Sequence, residues 1–221
     1  MNFVLSYSGG KDSALALHRM VSAGHRPMGL VVMMNRQAGR SWFHGVDPAL
    51  LEQISAALDI PLLPCPADGG DYHTALEALL RQCARDGAEA CVFGDIDIQD
   101  HLDWDRARCA AAGLEAVLPL WGRDRRENAL EAVDLGYRCV VKCVDRAKLP
   151  ERFLGRPLSR ALLEEMEGFG VDLCGENGEY HTVVLDGPLF RRPVPYQCRE
   201  VLRFGHISAI DIVYAGEEAA P

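Results

Sequence analysis

Two short segments of this 221-residue chain carry side chains suited to phosphate and proton chemistry. The first is Ser8-Gly9-Gly10-Lys11-Asp12-Ser13. It follows the apolar run Asn2 to Tyr7, which reads as a buried strand, and precedes Ala14, Leu17 and Val21, which recur at helical spacing. A strand, a glycine-rich turn and a helix start in that order make an anion site. The first backbone N–H groups of a helix lack intrahelical partners, and the macrodipole adds partial positive charge there. Gly9 and Gly10 permit close backbone approach to a phosphate, Lys11 supplies a point charge, and Ser8 and Ser13 offer hydroxyls. The pattern is not the P-loop of ordinary NTPases, because position 5, where that motif needs glycine, is Leu.

The second segment is Gly175-Glu176-Asn177-Gly178-Glu179-Tyr180-His181-Thr182. It packs two carboxylates, an amide, an imidazole and two hydroxyls together. Asn177-Gly178 is a strong turn dipeptide, and the chain after it reads as extended. Alternation then sets Glu179 and His181 on one face and Tyr180 and Thr182 on the other. A carboxylate beside His181 would orient its tautomer and raise its pKa, which suits proton transfer near neutral pH. A polar hairpin whose groups merely satisfy one another is the competing reading.

The elements that must position these segments alternate for about the first 145 residues. Strands are expected at 28–34, 60–65, 90–93, 115–118 and 138–144, with helices at 48–58, 71–86, 100–112 and 124–135 between them. Repeated strand–helix units imply a parallel sheet covered on both faces, with ligands beyond the carboxyl ends of the strands. Ser8 to Ser13, His44 and Gly94-Asp95 all follow strands, so they can converge on one rim. After Lys148 the texture changes to a helix at 158–169, a polar stretch, and strands at 183–185, 201–204 and 207–214. This divides the chain into a domain at 1–145 and a smaller α+β domain at 146–221, with a frayed tail at 215–221.

Composition narrows the class. Hydrophobic residues make up 48% and charged residues 25%, as in a soluble globular protein. The net charge of −9 argues against a broad nucleic-acid surface, and Arg123 to Arg126 reads as a solvated face. No apolar run approaches the ~20 residues of a membrane span, and the N-terminus enters a strand without a signal-peptide pattern. None of the eight cysteines forms C-x-x-C, so buried free thiols in a reducing cytoplasm are expected. Asp95, Asp97, Asp100, Asp103 and Asp105 lack the glycine and terminal glutamate of a calcium loop and read as helix-capping and solvated groups. Trp104 and Trp121 read as packing residues, and His101 and His206 have no partner pattern.

The Ser8–Ser13 string resembles the PP-loop of ATP pyrophosphatases. With Gly94-Asp95-Ile96, Pro119-Leu120-Trp121 and the Gly175–Thr182 segment in order, residues 2–195 resemble the PP-loop family that includes diphthine–ammonia ligase. The resemblance implies a HUP-type (adenine nucleotide alpha hydrolase-like) parallel sheet sandwiched by helices, which binds ATP, and a smaller C-terminal domain at the substrate site. It implies an ATP-dependent amidoligase that adenylates a carboxylate, releases pyrophosphate and AMP, and amidates with ammonia. In diphthine members the product is the final amide of diphthamide on elongation factor 2. Carried over residue by residue, Ser8, Gly9, Gly10, Lys11, Asp12, Ser13, Gly94 and Asp95 bind the nucleotide, and Asp12 is the ligand for Mg²⁺. Lys11, Asp12, Glu176, Glu179 and His181 are the catalytic set, with Glu179 or His181 as base or Glu176 and Glu179 holding ammonium. His44, Asn177, Tyr180 and Thr182 face the acceptor, His44 through the segment Trp42 to Val46, which matches the family only loosely. Two alternatives stay open: a PP-loop RNA-modifying enzyme of the thiolase or lysidine type, and a non-catalytic nucleotide-binding HUP protein. The sequence names neither the acceptor nor the oligomeric state, a homodimer among the options.

Overall fold

The computed structural model describes residues 1–42 and 44–216. Phe43 of the aromatic–histidine segment and tail residues 217–221 lie outside them. The first sheet is built from β1 (Asn2–Ser6), β2 (Arg26–Asn35), β4 (Leu62–Ala67), β5 (Ala90–Val92) and β6 (Glu115–Val117), all parallel to their neighbours. The short β3 (Arg40–Ser41) pairs antiparallel with the end of β2. Helices α1 (Lys11–Ser22), α2 (Pro48–Leu58), α3 (Tyr72–Arg85) and α4 (Gln99–Ala112) cover this sheet. The period of two along β1 apportions them. Phe3 and Leu5 join a core cluster with Leu15, Leu17, Leu51 and Ile54, whereas Val4 joins Leu76, Leu80 and Cys109 on the opposite face. The α/β expectation therefore holds.

Local chemistry fixes the helix ends. Asp47 accepts from the backbone N–H groups of Ala49 and Leu50, and Pro48 opens α2. Asp124 likewise caps α5 (Arg125–Asp134), and Ser159 caps α6 (Arg160–Glu167).

The strand expected to extend the parallel sheet behaves differently. It forms β7 (Cys139–Asp145), which pairs antiparallel with β8 (Tyr180–Val184) and β10 (Ile207–Tyr214), while β9 (Tyr196–Phe204) pairs with β10. The second sheet therefore runs β8-β7-β10-β9. Every residue of β7 is buried. A strand covered on both faces reads as a continuous apolar run in either kind of sheet, so its pattern could not name its partners.

The two sheets share one core. Helix α1 touches both β1 and β8, and α2 touches both β4 and β10, so these helices lie between the sheets. Val140, Val144, Val183 and Ile212 join the same apolar cluster as Phe3 and Leu15. All eight cysteines are free, and seven are buried. Among the described residues, no helix is long and apolar enough to cross a membrane.

The start of α1 ties the sheets together by hydrogen bonds. Gly10 stands at its N-cap and carries no side chain to cap it. The missing acceptor comes from β8: the backbone N–H of Lys11 donates to Thr182 Oγ1 at 3.0 Å. One residue earlier in the turn, Gly9 adopts φ +85°, and its carbonyl accepts from the Val184 N–H at 2.8 Å. Thr182 is 2% exposed, so water cannot replace its hydroxyl. Replacing Thr182 by Val, which keeps the shape, is expected to lower the unfolding free energy by about 1–2 kcal/mol, because it strands a buried helix N–H. Urea denaturation of Thr182→Val against Thr182→Ser checks this: Ser should recover most of the loss, and equal losses would point to methyl packing instead.

Candidate functional site

A cavity of about 490 Å³ opens at the carboxyl ends of β1 and β5, where the parallel strands deliver their loops. Ser8, Lys11, Asp12 and Ser13 line it from the first segment, and Gly94 and Asp95 from the turn after β5. Gly175, Glu176, Tyr180, His181 and Thr182 line it from the late segment, and His44 from the loop before α2. The two segments that the sequence singled out, more than 160 positions apart, thus face one space. Gly9, Gly10, Asn177 and Glu179 do not line it.

Lys11 is 4% exposed and sits at the join. Its Nζ donates to Asp12 Oδ2 at 2.7 Å and to the Cys174 carbonyl, and it lies 5.5 Å from the centre of the Tyr180 ring. Burial is the largest influence and opposes the charge, but its neighbours, Asp12 foremost, together outweigh it and hold Lys11 protonated. The Tyr180 hydroxyl donates to the Leu173 carbonyl at 2.6 Å, so that ring supports the wall from within. Gly94 passes so close to α1 that a Cβ there would meet the Asp12 carbonyl carbon and the Ser13 nitrogen at 2.9 Å. Only glycine lets β5 deliver its loop against the helix N-terminus.

The loop before β8 is held by Asp172. Its carboxylate accepts from the N–H groups of Cys174 (2.9 Å) and Glu176 (3.1 Å) and from Arg125 Nη1 (2.8 Å). Arg125 also grips Asp97 at 2.6 and 2.7 Å, linking the end of β5 to this loop. The basic run expected as a solvated face is therefore, at Arg125, a structural clamp. The surrounding sequence gives no sign of it, since both partners are distant.

Two expectations about the late segment change. Glu179 is 4% exposed and accepts from the Asn177 N–H (3.0 Å) and Nδ2 (3.2 Å), with Lys148 Nζ at 3.9 Å. It fixes the Asn177-Gly178 turn. His181 instead lies against His44, ring centres 4.6 Å apart, and His44 Nδ1 is 3.0 Å from the Thr182 carbonyl. Burial pushes the His181 pKa down, and Lys11 adds to the effect, whereas a rise was expected. Burial and His181 depress His44 further. Both imidazoles are therefore neutral near pH 7.

The carboxylates move the other way. Burial, then the charge of Asp12, pushes Glu176 up to about 7. Asp12, Cys174 and Glu176 place one ligand atom each within 4.8 Å of one another, and Cys174 Sγ is 3.5 Å from Asp12 Oδ1. Two carboxylate oxygens suit a hard divalent cation such as Mg²⁺. The thiol, which burial keeps protonated, is a poor ligand for it.

Among the residues lining the same cavity that sequence reasoning missed are His101, Trp104 and Asp105. His101 Nδ1 is 2.8 Å from Asp95 Oδ1. Asp105, expected to be solvated, is 3% exposed, and burial followed by the charge of Asp95 pushes its carboxyl up to about 9. An alternating run of acids hides which member faces inward. The signal available was helical spacing, since Leu102, Asp105 and Cys109 are three and four apart and share the buried side of α4.

The comparisons with known proteins cover both sheets. The diphthamide synthase N-terminal domain model matches residues 1–116, and the diphthamide synthase C-terminal domain model matches residues 124–212. The chain is 27% identical to a zebrafish (Danio rerio) protein named diphthine–ammonia ligase, over 91% of this chain and 89% of that one. A Bos taurus protein of the same name is 26% identical over 88% of this chain and 82% of its own length. A crystal structure described as a predicted subunit of tRNA methyltransferase from Methanocaldococcus jannaschii aligns over 85% of this chain and 98% of its own. Its TM-score is 0.46 and its identity 16%.

The raised Glu176 carboxyl gives a pH signature. A folded pKa above the ordinary 4.5 means that the folded state favours the protonated acid, so stability is present below pH 4.5 and lost as pH rises toward 7. In metal-free protein, Glu176→Gln should therefore melt at the same temperature as the parent near pH 4 and at a higher temperature at pH 8. Calorimetry across that range checks it, and parallel curves would remove the assignment of a strained carboxylate.

Proposed function

The chain belongs to the diphthamide synthase family, and on that premise we propose how its cavity serves an ATP-dependent ligase that amidates a carboxylate with ammonia. The observation that carries the reading is the meeting of Lys11 and Asp12 with Glu176 and His181 around one cavity. It brings a phosphate cradle and a proton-transfer group to one space.

The chemistry requires both. A carboxylate and ammonia do not condense at neutral pH, because the acid is ionised and ammonium is not nucleophilic. Adenylation removes the first obstacle. The acceptor oxygen attacks the α-phosphorus of ATP, the bond to the bridging oxygen breaks, and pyrophosphate departs. The Ser8–Ser13 turn and the α1 N-terminus receive that charge, with Lys11 as the fixed cation. Gly94 gives the nucleotide room beside α1, and Asp95 borders it. Asp12, with Glu176 in reach, is the residue to hold Mg²⁺, which when bound neutralises charge on the phosphates.

Amidation removes the second obstacle. Ammonia adds to the acyl carbon, AMP leaves, and the nitrogen sheds a proton. Glu176 and His181 line the cavity as candidate acceptors of protons: the Glu176 carboxyl, near pKa 7, is matched to the working pH, and the His181 imidazole is neutral and free to accept. Glu179 and Asn177 contribute by shaping the turn, and Tyr180 and Thr182 by fixing the wall. His44, against His181 on the cavity wall, is assigned to the acceptor. The relatives' name specifies diphthine as acceptor; for this chain the reading is a carboxylate acceptor, small or borne on a protein.

Incubation with ATP, magnesium and ammonium chloride plus candidate carboxylates should yield AMP and pyrophosphate in equal amounts, without any need for RNA. Lys11→Ala should lower pyrophosphate release by ~10²–10³-fold, the usual cost of losing one pre-placed charge at a transition state. Near-normal release by that variant would remove the phosphate role of the turn. Release that depends on added RNA would favour an RNA modifier instead.

A further inference from the structure

The wall of the cavity formed by α3 and α4 is unused by the roles above. Tyr72, His73, Trp104 and Asp105 line it, with Asp95 and His101 at its border. The rings are clustered: Trp104 lies 6.2 Å from Tyr72 and 5.5 Å from His73, centre to centre. Beside these rings, Asp105 is buried, with 3% exposure. Its Oδ2 has no hydrogen-bond partner among the described residues. Asp95 is within hydrogen-bonding reach of the same carboxyl.

Neither nearby cation donates a hydrogen bond to that oxygen. Lys11 is bound to Asp12 and the Cys174 carbonyl, and Arg108, over the Trp104 ring at 6.0 Å, pairs with Glu77 at 2.8 Å through Nη1, its Nε having no hydrogen-bond partner among the described residues. A buried carboxyl oxygen without a donor costs free energy that a ligand supplying a donor would recover. A neutral donor would satisfy the oxygen, but a cation suits the site better, because it also meets the ring faces and draws the Asp105 proton off against the charge of Asp95.

We propose that Asp105 and Asp95, beside Trp104 and Tyr72, form a subsite for an ammonium-type cation. The cation is either the free ammonium ion or a positively charged nitrogen carried by the acceptor. A divalent metal fits poorly there, because Mg²⁺ demands near-octahedral oxygen ligation and keeps several waters, whereas Leu76, Phe93 and Trp104 supply no oxygen. An ammonium group takes carboxylate oxygens and ring faces together. The inference rests on the ligase reading and deepens it: the nitrogen side of the reaction lies against α4.

Thallium(I), a heavy monovalent stand-in for ammonium, tests the site without turnover. Crystals of the full-length protein soaked in thallium(I) acetate should show an anomalous peak in contact with the Asp105 carboxylate. Ammonium chloride should displace it. Displacement by tetramethylammonium as well identifies a carried cation, and displacement by ammonium alone identifies the free ion. No peak at Asp105, or a peak that neither salt removes, overturns the proposal. Asp105→Asn should require at least tenfold more thallium for the same peak while leaving the dissociation constant for ATP within twofold. If that variant weakens ATP tenfold and leaves thallium unchanged, the wall belongs to the nucleotide and the proposal fails. Failed pyrophosphate release with thallium bound at Asp105 would sink the ligase reading alone.

Discussion

The Lys11 N–H bonded to Thr182 is the contact on which the site depends. A helix that begins at glycine after a glycine-rich turn has exposed N–H donors and no cap of its own. Those donors are what make it an anion site. Left alone, the same feature makes the start of α1 weak. Strand β8 supplies one acceptor from its side chain and one donor from its backbone, at Thr182 and Val184, and leaves Ser8, Lys11, Asp12 and Ser13 on the cavity. Because β8 also carries Tyr180 and His181, holding the helix start and furnishing the second half of the site become one structural event.

Burial then decides the charges. Lys11 stays protonated although nearly enclosed, because Asp12 lies beside it. Four other groups respond to the same low-dielectric surroundings by drifting toward neutrality: His44 and His181 downward, Asp95 and Glu176 upward. A cavity so arranged carries a fixed positive charge where phosphate would arrive and, in Glu176, a carboxyl close to its titration point where a proton must leave. That contrast is what a reaction with an anionic leaving group and a protonated nucleophile requires.

Much of this was legible in the chain itself. The strand–turn–helix order around Gly9 and Gly10 announced the nucleotide turn, and the alternation of apolar periods announced the parallel sheet. What escaped was partner choice. The apolar run at Cys139–Asp145 looks the same whether its neighbours are parallel or antiparallel, so it was read into the wrong sheet. Likewise, alternation along a strand says which residues share a face but not what faces them. Glu179 therefore came to brace Asn177 instead of pairing with His181, and Asp105 vanished among acids that are exposed.

The amino-acid sequence by itself determined the chemistry that is local: which turn can cradle a phosphate, where helices start and stop, and which segments are apolar enough to form a core. These follow from backbone freedom, capping and periodicity, all effects of a few neighbouring residues. Only the tertiary structure decided which carboxylates are buried and who stands beside them. Protonation and metal affinity depend on desolvation and on charges a few ångströms away in space, and Asp12 meets Glu176 only after α1 and β8 have joined.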